Sequence, residues 1–76
     1  MRNRSINWMQ ARILAILTRQ SVVKSYLALS AVVLDFNVRS LEEQHSLDIA
    51  IEILLSKKMI TRYRENGMTN FKLNAA

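Results

Sequence analysis

Apolar and polar positions divide the chain into three stretches of helical period and a hairpin signature. In the first stretch Met9, Ile13, Ile16 and Leu17 recur at helical spacing, Leu14 widens the stripe, and Arg12 and Arg19 face water. Asn7 followed by Gln10 has the form of a capping box and predicts a helix start near Asn7, with Gln20 and Ser21 at its end. Val22-Val23-Lys24 reads two ways, as a short strand from its β-branched pair or as the start of a second helix capped at Ser21. The firmer part of that second helix runs from Tyr26 to Phe36, with Leu27, Ala31 and Leu34 on one face and Tyr26, Leu29 and Val33 alongside. Asn37-Val38-Arg39 makes a turn, and Ser40 with Glu43 forms another capping box. A third helix then runs from Leu41 to about Lys58. Its inward stripe is Leu47, Ala50, Ile51, Leu54 and Leu55; Ile49 and Ile53 lie to the side, and His45, Asp48, Glu52 and Ser56 form a polar stripe. The apolar arc of its second half is wider than packing on one small core requires.

Asn66-Gly67 sits between two strand-like runs, and this dipeptide suits a type I′ turn because both central residues need positive φ. The turn fixes the register: Glu65 opposite Met68, Arg64 opposite Thr69, Tyr63 opposite Asn70, Arg62 opposite Phe71, Thr61 opposite Lys72 and Ile60 opposite Leu73. Opposed residues share a face, so Ile60, Phe71 and Leu73 gather on one side, with Arg62 beside Phe71.

Composition narrows this picture. With 76 residues the chain holds one domain, residues 1–76, of which 1–6 read as a flexible N-terminal arm carrying Arg2 and Arg4. Such arms can enter a minor groove. Half the residues are hydrophobic, but domains of this size rarely gain more than about 3–5 kcal/mol from one core. With no cysteine, oligomerisation or a partner is the remaining route to further burial. The net charge of +5 points to phosphate-bearing partners, the alternative being a surface that is merely rich in lysine and arginine. Its distribution says more: residues 1–39 carry six basic side chains against one acid, residues 40–56 four acids and no Lys or Arg, and residues 57–76 five basic side chains against one acid.

The order of helix, possible strand, helix, turn, helix and hairpin resembles the winged helix-turn-helix family of bacterial, phage and plasmid regulators. The segment IEILLSKKMITRYRENGMTNFKL is similar to that family's helix end, basic wing and closing strand. Small pilus-operon regulators of the PapI and FaeA type are similar in length and order. The resemblance implies a mainly α fold with a small β-hairpin, three helices plus a C-terminal wing. It also implies a DNA-binding transcription regulator, dimeric and cytoplasmic, whose partner is double-stranded DNA. In that family the helix after the turn enters the major groove and the wing touches the sugar-phosphate backbone. The residues carried over to the groove are Arg39, Ser40, Gln44, His45 and Ser46, with Gln44 suited to adenine and Arg39 to guanine. Arg62, Arg64 and Lys72 are the wing cations, with Lys57 and Lys58 at the base of the wing.

Two departures from the family pattern bear on this. Val38 to Leu54 is about one helical turn longer than the usual spacing. The reading helix is also acidic: Glu43 can serve the cap and Glu42 the dipole, whereas Asp48 and Glu52 would oppose a polyanion. The charges therefore favour Gln44 and His45 as solvated helix residues over base readers, and Lys57-Lys58 as a dipole-compensating helix end over a phosphate clamp. The second class of function is a protein-interaction module on the same fold, a phage or mobile-element accessory protein that uses Asp48, Glu52, Ile49 and Ile53. Trp8 reads as a core or interface anchor, and with Ile49 and Ile53 it is a candidate contact for a homodimer.

Other classes find little in the chain. A single histidine and no cysteine give no set of nucleophile, base and orienting group, so no enzyme, cofactor or small-molecule substrate is expected. His45, Asp48 and Glu52 are a carboxylate-heavy, one-sided set for a metal. The longest nearly apolar run, Tyr26 to Leu34, is too short to span a bilayer, and Arg12 and Arg19 interrupt any signal-peptide core, so neither a membrane nor export is expected.

Overall fold

The computed structural model describes residues 5–34 and 40–74. In chain order its elements are α1 (Ile6–Gln20), β1 (Val22–Lys24), α2 (Tyr26–Val33), α3 (Leu41–Ser56), β2 (Ile60–Glu65) and β3 (Met68–Leu73). Among the described residues there are three helices and a three-stranded antiparallel sheet in the spatial order β1-β3-β2. No helix among the described residues is long and apolar enough to cross a membrane.

Serine side chains start all three helices by accepting from a backbone N–H three residues on, the N-cap device that satisfies an otherwise orphaned donor. Ser5 Oγ accepts from Trp8 N–H at 3.0 Å, Ser25 Oγ from Ala28 N–H at 3.0 Å and Ser40 Oγ from Glu43 N–H at 3.1 Å. The α3 start is thus the expected one. The α1 start is not: Ser5 takes the cap expected of Asn7, and Ser5 and Ile6, expected in the arm, are the cap and the first helical residue. Positive φ at Ser21 and Ser25, 66° and 105°, turns the chain sharply on either side of β1. β1 itself resolves the two readings of Val22–Lys24 in favour of strand, because β3 supplies its partner: Val22 pairs with Lys72, Val23 with Phe71 and Lys24 with Asn70.

α2 is shorter than expected, ending at Val33 with Leu34 as its C-cap; Phe36 and the turn at Asn37–Arg39 lie outside the described residues. Its inward face is also rotated. Leu29, Ser30 and Val33 are buried, whereas Leu27, expected inside, is 79% exposed. α3 stops at Ser56, two residues before the expected end, in a Schellman motif. Lys58 N–H donates to Leu55 C=O and Met59 N–H to Leu54 C=O, each at 3.0 Å, with Lys58 in the left-handed region at φ 59°.

The hairpin has the register expected from its turn, from Ile60 opposite Leu73 to Glu65 opposite Met68. Asn66 and Gly67 have φ of 54° and 76°, as a type I′ turn requires. At the open end Asn74 locks the hairpin to the connection from α3: its N–H donates to Met59 C=O, its Nδ2 to Lys58 C=O, and its side-chain carbonyl accepts from the Thr61 hydroxyl. The core lies between the helices and the inner sheet face. α1 gives it Met9, Ile13, Ile16 and Leu17, α3 gives Leu47, Ala50, Ile51 and Leu54, and the sheet gives Val23, Ile60 and Phe71. Each such side chain contributes about 1.5–3 kcal/mol when fully buried, so this cluster and not the surface polar contacts holds the fold.

Candidate nucleic-acid interface

Alternation along the strands divides the wing cations between two faces. Arg62 stands opposite Phe71 and Arg64 opposite Thr69, on the inner side that looks toward α3; Lys72 belongs to the outer side with Thr61 and Tyr63. The sequence-derived grouping of Arg62, Arg64 and Lys72 as one set of outward cations therefore separates in space. Each also has an intramolecular partner. Arg62 NH1 lies 2.8 Å from Glu52 Oε2, an ion pair open to solvent on both sides. Arg64 NH2 donates to Gly67 C=O at 3.1 Å, which holds it along the turn. Lys72 Nζ stands 5.5 Å from the centroid of the Tyr63 ring, a cation–π contact.

Between α3 and the inner face of the hairpin runs an open cleft of about 720 Å³, lined by Tyr26, Asp48, Glu52, Arg62, Arg64 and Phe71 among others. Its helix side is acidic and its hairpin side basic, so Coulomb attraction draws the two walls together across it. Tyr26 spans the helix side. Its hydroxyl donates to Asp48 Oδ1 at 2.6 Å, and the phenol pKa is pushed up to about 12, first by burial and then by the Asp48 hydrogen bond and charge. A side-chain hydrogen bond with Gln44 works in the opposite direction. Gln44, the expected adenine reader, is thus half-buried and engaged with Tyr26.

The remaining expected residues spread along α3. Ser40 is the cap, its oxygen occupied by the Glu43 N–H, and Ser46 is half-buried. His45, Asp48, Glu52 and Ser56 form the exposed row that the periodicity predicts. Beside them Ile49 and Ile53, both half-buried, floor a shallow apolar groove of about 460 Å³ with Asp48 and Glu52 on its rim. Lys57 is the C-cap of α3 and Lys58 follows it in the left-handed turn, so both are exposed at the base of the hairpin. Trp8 is 39% exposed on the first turn of α1, away from the hairpin in sequence. Arg39 lies outside the described residues. Among the described residues no group of three His, Cys, Asp or Glu side chains is placed to hold a metal ion.

Sequence reasoning overlooked Lys24 and Tyr26. Lys24 joins the outer sheet face only because β1 pairs with β3, and a three-residue segment carries no periodicity to announce that. Tyr26 carried a signal in principle, since an aromatic hydroxyl amid apolar neighbours needs a hydrogen-bond partner.

Comparison of the chain with protein-family models, with curated proteins and with solved structures gave no significant match.

Proposed function

We propose that this chain is a small winged helix-turn-helix protein that binds duplex DNA chiefly through its hairpin and regulates transcription in the cytoplasm by occupying a promoter site. The element order and the strand order β1-β3-β2 support the fold assignment, with β2 and β3 as the wing. The observation that carries the functional reading is the polarity of the exposed surfaces. The hairpin presents Arg62, Arg64 and Lys72, whereas the exposed row of α3 presents Asp48 and Glu52. Phosphate neutralisation dominates DNA affinity, so the backbone approaches the hairpin and only the first turn of α3 comes near the bases.

Fluorescence anisotropy with a labelled duplex at two salt concentrations tests this reading. Affinity should fall steeply with salt as counterions are released; no binding at low salt, or binding insensitive to salt, overturns it. Arg64→Ala should weaken all sequences alike, and Gln44→Ala should change little because its amide is engaged with Tyr26. Glu52→Gln should tighten binding by releasing Arg62.

The groove over Ile49 and Ile53 with its acidic rim supports a second reading, a protein-interaction module that engages its partner through α3. On that reading Asp48→Ala with Glu52→Ala abolishes activity in cells and leaves DNA affinity undiminished.

A further inference from the structure

Two exposed lysines lie on the outer face of the sheet. β1 sets Lys24 opposite Asn70 and Val22 opposite Lys72, and β2 sets Tyr63 opposite Asn70. Lys24, Asn70, Tyr63 and Lys72 consequently share one face, on the other side of the sheet from the buried Val23 and Phe71. Asn70 stands at its centre and is only 2% exposed. The nearest side chains that the register gives it on this face are Lys24, Tyr63, Met68 and Lys72, which surround it. Lys72 is further fixed by its contact with the Tyr63 ring.

Lys24 and Lys72 are diagonal neighbours across β1 and β3, a separation of roughly 7–8 Å between backbones, which both long side chains can bridge to one anion. Among the described residues that alternation places on this face, Glu65 at the hairpin tip is the one acid. Beneath them Asn70 Nδ2 donates to Met68 C=O at 3.1 Å, and Asn70 Oδ1 has no donor.

We propose that the outer sheet face holds the sugar-phosphate backbone of duplex DNA, with one phosphate between Lys24 and Lys72 and the adjoining sugar against Tyr63. The inference rests on the DNA-binding reading and sharpens it. The stretch of backbone held there lies on the side of the wing turned away from Asp48 and Glu52, which do not oppose it. The site stands on charge complementarity between a phosphate and two exposed lysines that the register sets as diagonal neighbours.

The test measures the salt dependence of duplex affinity for the full chain and four variants, with thermal melts to confirm folding. Lys24→Gln and Lys72→Gln should each reduce the slope of log affinity against log salt by about one. Lys24→Arg should keep the slope of the unaltered protein. Arg19→Gln, which removes a charge from the exposed end of α1, should leave the slope unchanged. If the unaltered protein binds while Lys24→Gln and Lys72→Gln keep its slope, or lower it no more than Arg19→Gln, the outer-face site is wrong and the DNA-binding reading survives. If the unaltered protein shows no salt-dependent binding, both fall.

Discussion

Tyr26 is the side chain through which α2 and α3 hold each other at the cleft, and its ionisation gives that contact a pH signature. The folded protein keeps the phenol protonated until about pH 12, against an ordinary value of 10.0. Between those two values the unfolded chain has given up a proton that the folded chain retains. The stabilisation is therefore complete below pH 10 and is lost as pH rises toward 12. Urea unfolding followed up to roughly pH 12 should show this decline. Tyr26→Phe should start from lower stability at neutral pH, having lost the Asp48 bond, and should decline less steeply than the parent. An equally steep decline in Tyr26→Phe would assign the loss to other groups. The Arg62–Glu52 pair is different in kind. Exposed ion pairs are worth about 0–1 kcal/mol, so it sets the availability of Arg62 far more than it sets stability.

At the scale of elements, two positive-φ positions in the last third predict opposite responses. Gly67 has φ +76° and open space around its missing Cβ, so Gly67→Ala meets no clash and bears only the backbone penalty. That penalty is roughly 1–2 kcal/mol for an L-residue in the left-handed region. Lys58 already bears such a penalty at the end of α3, so Lys58→Gly should be neutral or stabilising by up to about 1 kcal/mol. Melting curves of the two variants check both signs. A destabilised Lys58→Gly would mean that the lysine side chain does more for the fold than its backbone position costs. The same positions explain what could be read in advance. The hairpin register was legible down to the residue pair because Asn66-Gly67 permits one turn geometry and the turn determines everything after it. The inward face of α2 was not legible: YLALSAVV is apolar almost all round, so periodicity gives it no direction, and Leu27 went to the wrong side. The α1 cap failed for a simpler reason, since Ser5 and Asn7 are both good caps and only the start of the first turn distinguishes them. At the site, the polar row of α3 followed from spacing alone. The Arg62–Glu52 pair and the membership of Lys24 depend on elements far apart in the chain meeting, which no local pattern encodes.

Among the described residues, Asp48 and Glu52 lie along the exposed row of α3, Lys24 and Lys72 on the outside of the sheet, and Arg62 and Arg64 in the cleft between them. This arrangement lets one small domain offer a basic side and an acidic, partly apolar side at once. If copies of the chain associate through Ile49 and Ile53, an antiparallel pairing of two α3 helices would bring Asp48 and Glu52 of each toward their counterparts, and like charges oppose it. Sedimentation or light scattering at rising salt should then show a monomer at low salt, with any dimer strengthening as salt screens the carboxylates. A dimer that is tightest at low salt would rule out that geometry.

β1 has only three residues, yet its pairing with β3 joins the first third of the chain to its last few residues. The central strand of the sheet is thus the final one to be synthesised. While the chain is still emerging from a ribosome, α1, β1 and α2 have no sheet to close on, and Val23 waits for Phe71. Forming that pair closes more than half the chain as a loop before the contact rewards it, and such long-range closure slows folding. The domain should accordingly fold in one step once β3 has emerged, and a nascent chain lacking β3 should remain open to proteases.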